Sequence, residues 1–141
     1  MANRNYNGVQ TNTSPTIVES AGAEITDVRN RIMKYDASGN VVLATAGTDL
    51  PVGIAIIEAG YNDISGKLSG MVETGDDVDI LIKERGVVLA GGTIKKGQEV
   101  AAGAEGKAVA AASGNYVLGI ALDNAASGEY VEVQIAKYQK A

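Results

Sequence analysis

The chain has 141 residues, a formal charge of −5, no cysteine and no histidine, and six tyrosines as its only aromatic side chains. Without Cys there are no disulfides, thiolate metal sites or thiol nucleophiles. Without His the usual general base near neutral pH and the commonest transition-metal ligand are missing, so Ser-His-Asp chemistry and His-ligated zinc are excluded.

The basic residues are scattered apart from Lys95-Lys96, which leaves no basic stripe for nucleic acid. No apolar run approaches the ~20 residues that span a bilayer, and the N-terminus lacks the basic-then-apolar order of a signal peptide. These features predict a soluble protein made in a cytoplasm, with no nucleic-acid or membrane partner. The core has to be built from Val, Ile, Leu, Ala and Met, since Phe and Trp are absent. At about 25 cal/mol per Å² such small side chains contribute little each, which predicts added stability from self-association.

In chain order, residues 1–16 come first, rich in Asn, Gln and Thr, with Arg4 their only charged side chain. Such a segment cannot bury enough apolar surface to order itself. It reads either as a frayed terminus or as an arm that orders against a protein partner. In the second reading Tyr6, Val9, Pro15 and Ile17 are the apolar anchors, and Asn3, Arg4, Asn5 and Asn7 supply hydrogen bonds. Residues 17–32 read as a connector in which Ile25, Val28 and Ile32 mark a helical turn or an irregular edge. The expected division is arm and connector over 1–30 and a β domain over 31–141.

Short β segments follow at 33–36, 40–44, 52–58, 68–73, 77–84, 86–90, 98–102, 107–111, 116–122 and 129–136, each bounded by Gly, Asn, Asp or Ser. That even spacing is the pattern of an all-β sandwich or barrel. Ser38-Gly39-Asn40 and Glu105-Gly106-Lys107 read as hairpin turns in which glycine supplies a positive φ. Pro51 stands at the mouth of a strand, where a missing amide proton does no harm.

The segments repeat. Ala37, Gly39, Val42 and Ala44 recur as Ala104, Gly106, Val109 and Ala111; Val52-Gly53-Ile54-Ala55-Ile56 recurs as Leu118-Gly119-Ile120-Ala121-Leu122; and the run from Gly75 to Ile82 matches that from Gly128 to Ile135. Two copies are too few for a solenoid, so they predict one compact β-barrel or sandwich of two pseudo-repeated halves, preceded by an extended N-terminal arm. Gly53 and Gly75 stand further apart than Gly119 and Gly128, which places an insertion within residues 57–74, a loop or projecting hairpin.

Candidate chemistry is sparse. Glu73, Asp76, Asp77 and Asp79 lack the spacing of an EF-hand loop, and Asp77 and Asp79 alternate with Val78 and Ile80 as on a solvated strand face. Ser65-Gly66-Lys67 lacks the spacing of a phosphate loop. Asn12-Thr13-Ser14 matches a glycosylation sequon, which matters only in a secretory pathway. The stretch Thr93–Val100 is similar to the strand-turn before the modified lysine of biotinyl and lipoyl carrier domains. The turn that follows, Gly103–Ala108, has no Met-Lys-Met motif. No catalytic, cofactor-binding or metal-ligating residue is assigned.

Taken together, Ala21–Ile25, Lys34–Asp49 running into Val52–Ala55, Gly91–Gly97, Gly106–Ala111, Leu118–Leu122 and Gly128–Val133 resemble the phrases of small decoration, or head cement, proteins of tailed bacteriophages. The resemblance covers roughly Ala21 to Ala136 and rests on order and spacing rather than on any single residue. It implies a β-barrel-like structural protein, not an enzyme, that binds the outer surface of a phage head between capsomers of the major capsid protein, commonly as a homotrimer. The alternatives are a head fibre or host-surface adhesin that uses the 57–74 loop, and a carrier domain modified at Lys95, Lys96 or Lys107. Far-ultraviolet circular dichroism is expected to be dominated by β-structure, with helix far below the roughly one third typical of soluble proteins.

Overall fold

The structure, a computed structural model, describes residues 14–62, 64, 65 and 68–141. Ten strands are built: β1 (Thr16–Ser20), β2 (Ile32–Tyr35), β3 (Val41–Leu43), β4 (Gly53–Ala55), β5 (Asp77–Leu81), β6 (Arg85–Leu89), β7 (Glu99–Ala102), β8 (Ala108–Ala110), β9 (Tyr116–Ala121) and β10 (Tyr130–Gln139). They make two five-stranded sheets, ordered β1-β5-β4-β2-β3 and β6-β10-β9-β7-β8. Each strand of the second sheet lies five places after its counterpart in the first, so the halves share one topology. All named pairings are antiparallel.

The correspondence extends to single hydrogen bonds. Ala21 bridges Val41 and Ala90 bridges Ala108, both in parallel, which brings the two outer strands of each sheet together and curls each half towards a barrel. Ile25 bridges Val72 as Ile94 bridges Ala125. Gly75 donates to the Ala21 carbonyl at 2.8 Å, and Gly128 to that of Ala90 at 2.9 Å. The repeated Gly53 and Gly119 share a steric reason: a Cβ on Gly53 would strike the Leu81 carbonyl, and one on Gly119 that of Gln134. Glycine lets these neighbouring strands approach. Both hairpin glycines have the expected positive φ, +85° at Gly39 and +69° at Gly106.

Period-two alternation sets the core. Val78 and Ile80 on β5, and Val131 and Val133 on β10, are buried, while Asp77, Tyr130 and Gln134 are exposed. One core fills the first half around Met33, Val41, Val72 and Ile80. The other fills the second half around Val88, Val100, Leu118 and Val133, and it takes in Ile32, Ala44 and Ile54 from the first half. These three residues interlock the halves.

Two element assignments are corrected. The connector expected over 17–32 begins inside β1, which pairs with β5 from Thr16↔Leu81 to Ser20↔Asp77. Its alternation is too short and too polar to stand out in the sequence, and the pairing with β5 creates it. No strand forms over 68–73, where Val72 alone makes a bridge, because the glycine turn at Gly70 (φ +85°) interrupts extension. Beyond these, β10 continues past its expected end, with a register shift between Ile135 and Tyr138.

Asn30 closes the seam between the halves. It is the buried polar residue of the described chain, its φ is +57°, and its counterpart in the other half is Gly97, with a φ of +88°. The Asn30 carbonyl accepts the Leu89 N–H at 2.9 Å, and Nδ2 donates to the Val87 carbonyl at 3.0 Å. Asn30→Ala is expected to lower stability in denaturant titrations by about 1–3 kcal/mol, by leaving the Val87 carbonyl unpaired. A further ~1 kcal/mol follows from left-handed backbone at a non-glycine residue. Asn30→Gly should be the milder variant because it removes only the hydrogen bond.

Candidate functional site

Of the anchors expected in the sequence, Asn3, Arg4, Asn5, Tyr6, Asn7 and Val9 lie outside the described residues. Ile17 lies on β1 of the first sheet and Pro15 directly precedes that strand. The Pro15 carbonyl accepts the Ile82 N–H at 2.8 Å, and Ile17 is half-buried against the first core. Ile17 also lines an open groove of about 590 Å³ with Lys34, Tyr35, Leu50, Pro51 and Lys137. The described chain therefore begins near a groove lined by aliphatic side chains together with Lys34, Asp49 and Lys137.

The carboxylates are tied into turns. Asp36 Oδ1 accepts the N–H groups of Ser38 and Asn40 at 2.8 and 3.0 Å and closes the first hairpin. Asp76 Oδ2 accepts the Glu73 N–H at 2.9 Å, and its counterpart Glu129 accepts that of Ala126 at 2.7 Å. The acidic cluster seen in the sequence thus splits between a turn (Glu73, Asp76) and the outward face of β5 (Asp77, Asp79). Among the described residues no three acidic side chains converge to hold a metal ion. Lys95 and Lys96 sit on an exposed turn, and Lys107 pairs with Glu105 at 3.2 Å.

Asp49 is the most strongly perturbed of these groups. Partial burial pushes its carboxyl up, but the Thr45 N–H, the Lys34 ammonium, the Thr45 hydroxyl and the Ala46 N–H together hold it at about 2, against an ordinary 3.8. Lys34 Nζ is 3.1 Å from Oδ1. In the second half Asn115 takes the same place and accepts the Ala112 N–H at 2.9 Å. Glu99 is held below the usual carboxylate range first by the Tyr138 hydroxyl and then by Lys140.

The 57–74 insertion, joining β4 to β5, is the chief departure from the internal symmetry. Tyr61 N–H donates to the Met71 carbonyl at 2.9 Å and Gly70 N–H to that of Tyr61 at 2.8 Å, which closes it into a projecting loop. Ile57, Tyr61 and Ile64 are exposed along it. At its base a second open groove, of about 550 Å³, runs along the seam between the halves and is lined chiefly by aliphatic side chains. Sequence reading found the insertion through its spacing. It could not find the groove, whose walls come from β4, β5, β6 and β10.

These features define a duplicated β protein whose polar groups, among the described residues, hold turns together and whose surface carries open grooves and a projecting loop. The chain belongs to the structural cement protein family (E217 gp24/Pam3 gp6), whose sequence model matches residues 3–136. It is therefore a structural bacteriophage protein of the virion, associated with capsid proteins. No curated protein matches the chain. Among solved structures it is similar to the N base of the head fibre gp8.5 of bacteriophage phi29, with a TM-score of 0.64 and 22% identity over 89% of this chain and 97% of that one. At that identity the likeness establishes the shared fold.

The Asp49 carboxylate carries a pH signature. Its folded-state pKa lies below the unfolded one, so its contribution is complete above about pH 4 and is lost as the pH falls towards 2. Asp49→Asn keeps a turn that the second half already makes with Asn115, and removes the charge. The variant is expected to melt below the wild type at pH 7, and the two melting temperatures should converge between about pH 4 and pH 2.

Proposed function

We propose that this protein, made in the host bacterial cytoplasm, binds the outside of a phage head as a homotrimer that bridges neighbouring capsomers of the major capsid protein. One observation carries the reading: the family match runs from residue 3 to residue 136 and so takes in both the duplicated barrel and most of the arm. The physical features agree with it. A cement protein needs solubility, many copies and a way to hold neighbours, and it needs no acid, base or metal. An arm that orders on its target covers much surface at an entropic cost, which simultaneous attachment of several copies offsets through effective concentration.

In this reading Tyr6, Val9, Pro15 and Ile17 anchor the chain to the shell, with Asn3, Arg4, Asn5 and Asn7 hydrogen-bonding alongside. Ile17 and the Pro15 carbonyl already serve the first sheet, so they form the fixed end from which the arm departs. A head-fibre role is the second reading, favoured by the fold likeness to the phi29 fibre base. Cryo-electron microscopy of decorated heads separates the two, since cement lies as compact density between capsomers and a fibre projects.

The structure fixes where an informative truncation ends. Removing residues 1–13 spares β1 and the bond from Ile82 to Pro15, whereas a cut after Thr16 would take both the carbonyl and the Thr16↔Leu81 pairing. The protein lacking 1–13 is expected to melt close to the full chain and to lose most of its binding to undecorated heads, read by co-sedimentation. Tyr6→Ala should weaken binding by about 1–3 kcal/mol on isolated capsomers, where multivalency cannot mask the loss. Undiminished decoration by the truncated chain would move attachment to the barrel.

A further inference from the structure

The internal duplication supplies a control for reading the edge of β1. The Pro15 carbonyl accepts the Ile82 N–H, and Ala21 donates to the Asp76 carbonyl. The alternation of an antiparallel pair therefore turns the main chain of Ile17 and Glu19 towards β5 and that of Val18 and Ser20 outwards. β6 is built the same way: the Glu84 carbonyl accepts the Ile135 N–H, Ala90 donates to that of Glu129, and the main chain of Val87 and Leu89 points outwards. There the edge is covered from the first half, since the Asn30 carbonyl takes the Leu89 N–H at 2.9 Å and Nδ2 reaches the Val87 carbonyl at 3.0 Å. On β1 the corresponding Ser20 N–H and Val18 carbonyl have no partner among the described residues.

The two hairpin glycines repeat the contrast. A Cβ on Gly106 would strike the Ile32 carbonyl at 2.7 Å, whereas one on Gly39 meets nothing within 4 Å. The same face of the fold is thus an interface in the second half and open in the first. A second copy cannot cover it in the same way. Asn30 and Ile32, which cover the second half, have Gly97 and Glu99 as their counterparts. Gly97 has no side-chain amide, and Glu99 is held by Tyr138 and Lys140 of its own chain.

We propose that the edge of β1 receives an extended segment of the major capsid protein as an added strand, whose main chain pairs with the Ser20 N–H and the Val18 carbonyl. Asn30 already imitates such a strand on β6, with a carbonyl as acceptor and an amide as donor. The side chains of Val18 and Ser20 share a face with Asp79 and Asp77, which stand opposite them on β5. Neither carboxylate has an ion pair among the described residues, so the added segment is one that carries Lys or Arg on that face. This deepens the capsid-binding reading above and rests on it, by giving the shell a defined strand to bind.

Hydrogen exchange read by mass spectrometry tests this on the full chain, free and bound to isolated capsomers at limiting protein, where copies do not adjoin. In the free protein the Ser20 amide should exchange at least about tenfold faster than its paired counterpart at Leu89, and on capsomers it should slow by a similar factor. Ser20→Pro removes the outward N–H and spares the bonds to β5, as an edge position allows. It is expected to melt near the wild type and to bind capsomers about tenfold more weakly, whereas Ser20→Ala, which keeps the N–H, should bind as the wild type does. If the proline variant melts low, the exchange of the wild-type Ser20 amide decides alone. Capsomer binding with Ser20 exchanging as in the free protein overturns the inference and leaves the cement reading standing. Protection that grows with concentration in the free protein assigns the edge to a second copy and also overturns it. A chain that binds neither capsomers nor heads overturns the cement reading, and this inference with it.

Discussion

The structure depends on an interlock. Ile32, Ala44 and Ile54 are made by the first half and buried in the core of the second. Each half alone is a small unit built without Phe or Trp, and units of that size rarely gain enough from a core of their own. Fully burying an isoleucine is worth about 1.5–3 kcal/mol, so Ile32 and Ile54 together supply a large part of the net stability of a small domain. That gain is available only if the seam closes without stranding polar groups. Asn30 meets that condition by presenting its backbone carbonyl and its side-chain amide to the β6 edge.

The duplicated frame is used asymmetrically. The second half ends in a long β10 whose last residues return over its own surface, where the Tyr138 hydroxyl donates to Glu99 and Lys140 pairs with the same carboxylate at 3.2 Å. The first half has a β5 of five residues and instead carries the insertion and the arm. One half is finished by its own chain, and the other carries the insertion. Turn chemistry is common to both: Asp36, Asp49, Asp76, Asn115 and Glu129 all accept backbone N–H groups. Of the acidic cluster that looked like candidate chemistry, Asp76 fastens such a turn and Asp77 and Asp79 stand on β5, in keeping with a structural virion protein.

Much of the fold was legible because it rests on local rules. Alternation at 77–82 and 129–135 marked β5 and β10, Gly39 and Gly106 marked the two hairpins, and the recurring Gly53 and Gly119 marked equivalent positions of the two halves. Where a segment has no local signal the reading failed. β1 is extended only because β5 lies beside it, and Val72 forms a lone bridge to Ile25 where alternation predicted a strand. Asn30 gave no warning either, since a single asparagine in a polar stretch says nothing about burial.

By itself the sequence determined the class of the protein: all-β, duplicated, without the residue types for common catalysis, and assembled from phrases shared with phage cement proteins. Composition and periodicity carry that information because they act through short-range chemistry that every copy of a pattern repeats. Only the tertiary structure decided which half covers the other, which exposed aliphatic side chains share a groove, and which carboxylates are occupied in turns. Those outcomes depend on residues far apart in the chain, such as Asn30 with Val87 and Ile57 with Tyr130, meeting across a seam that exists only once both halves have packed.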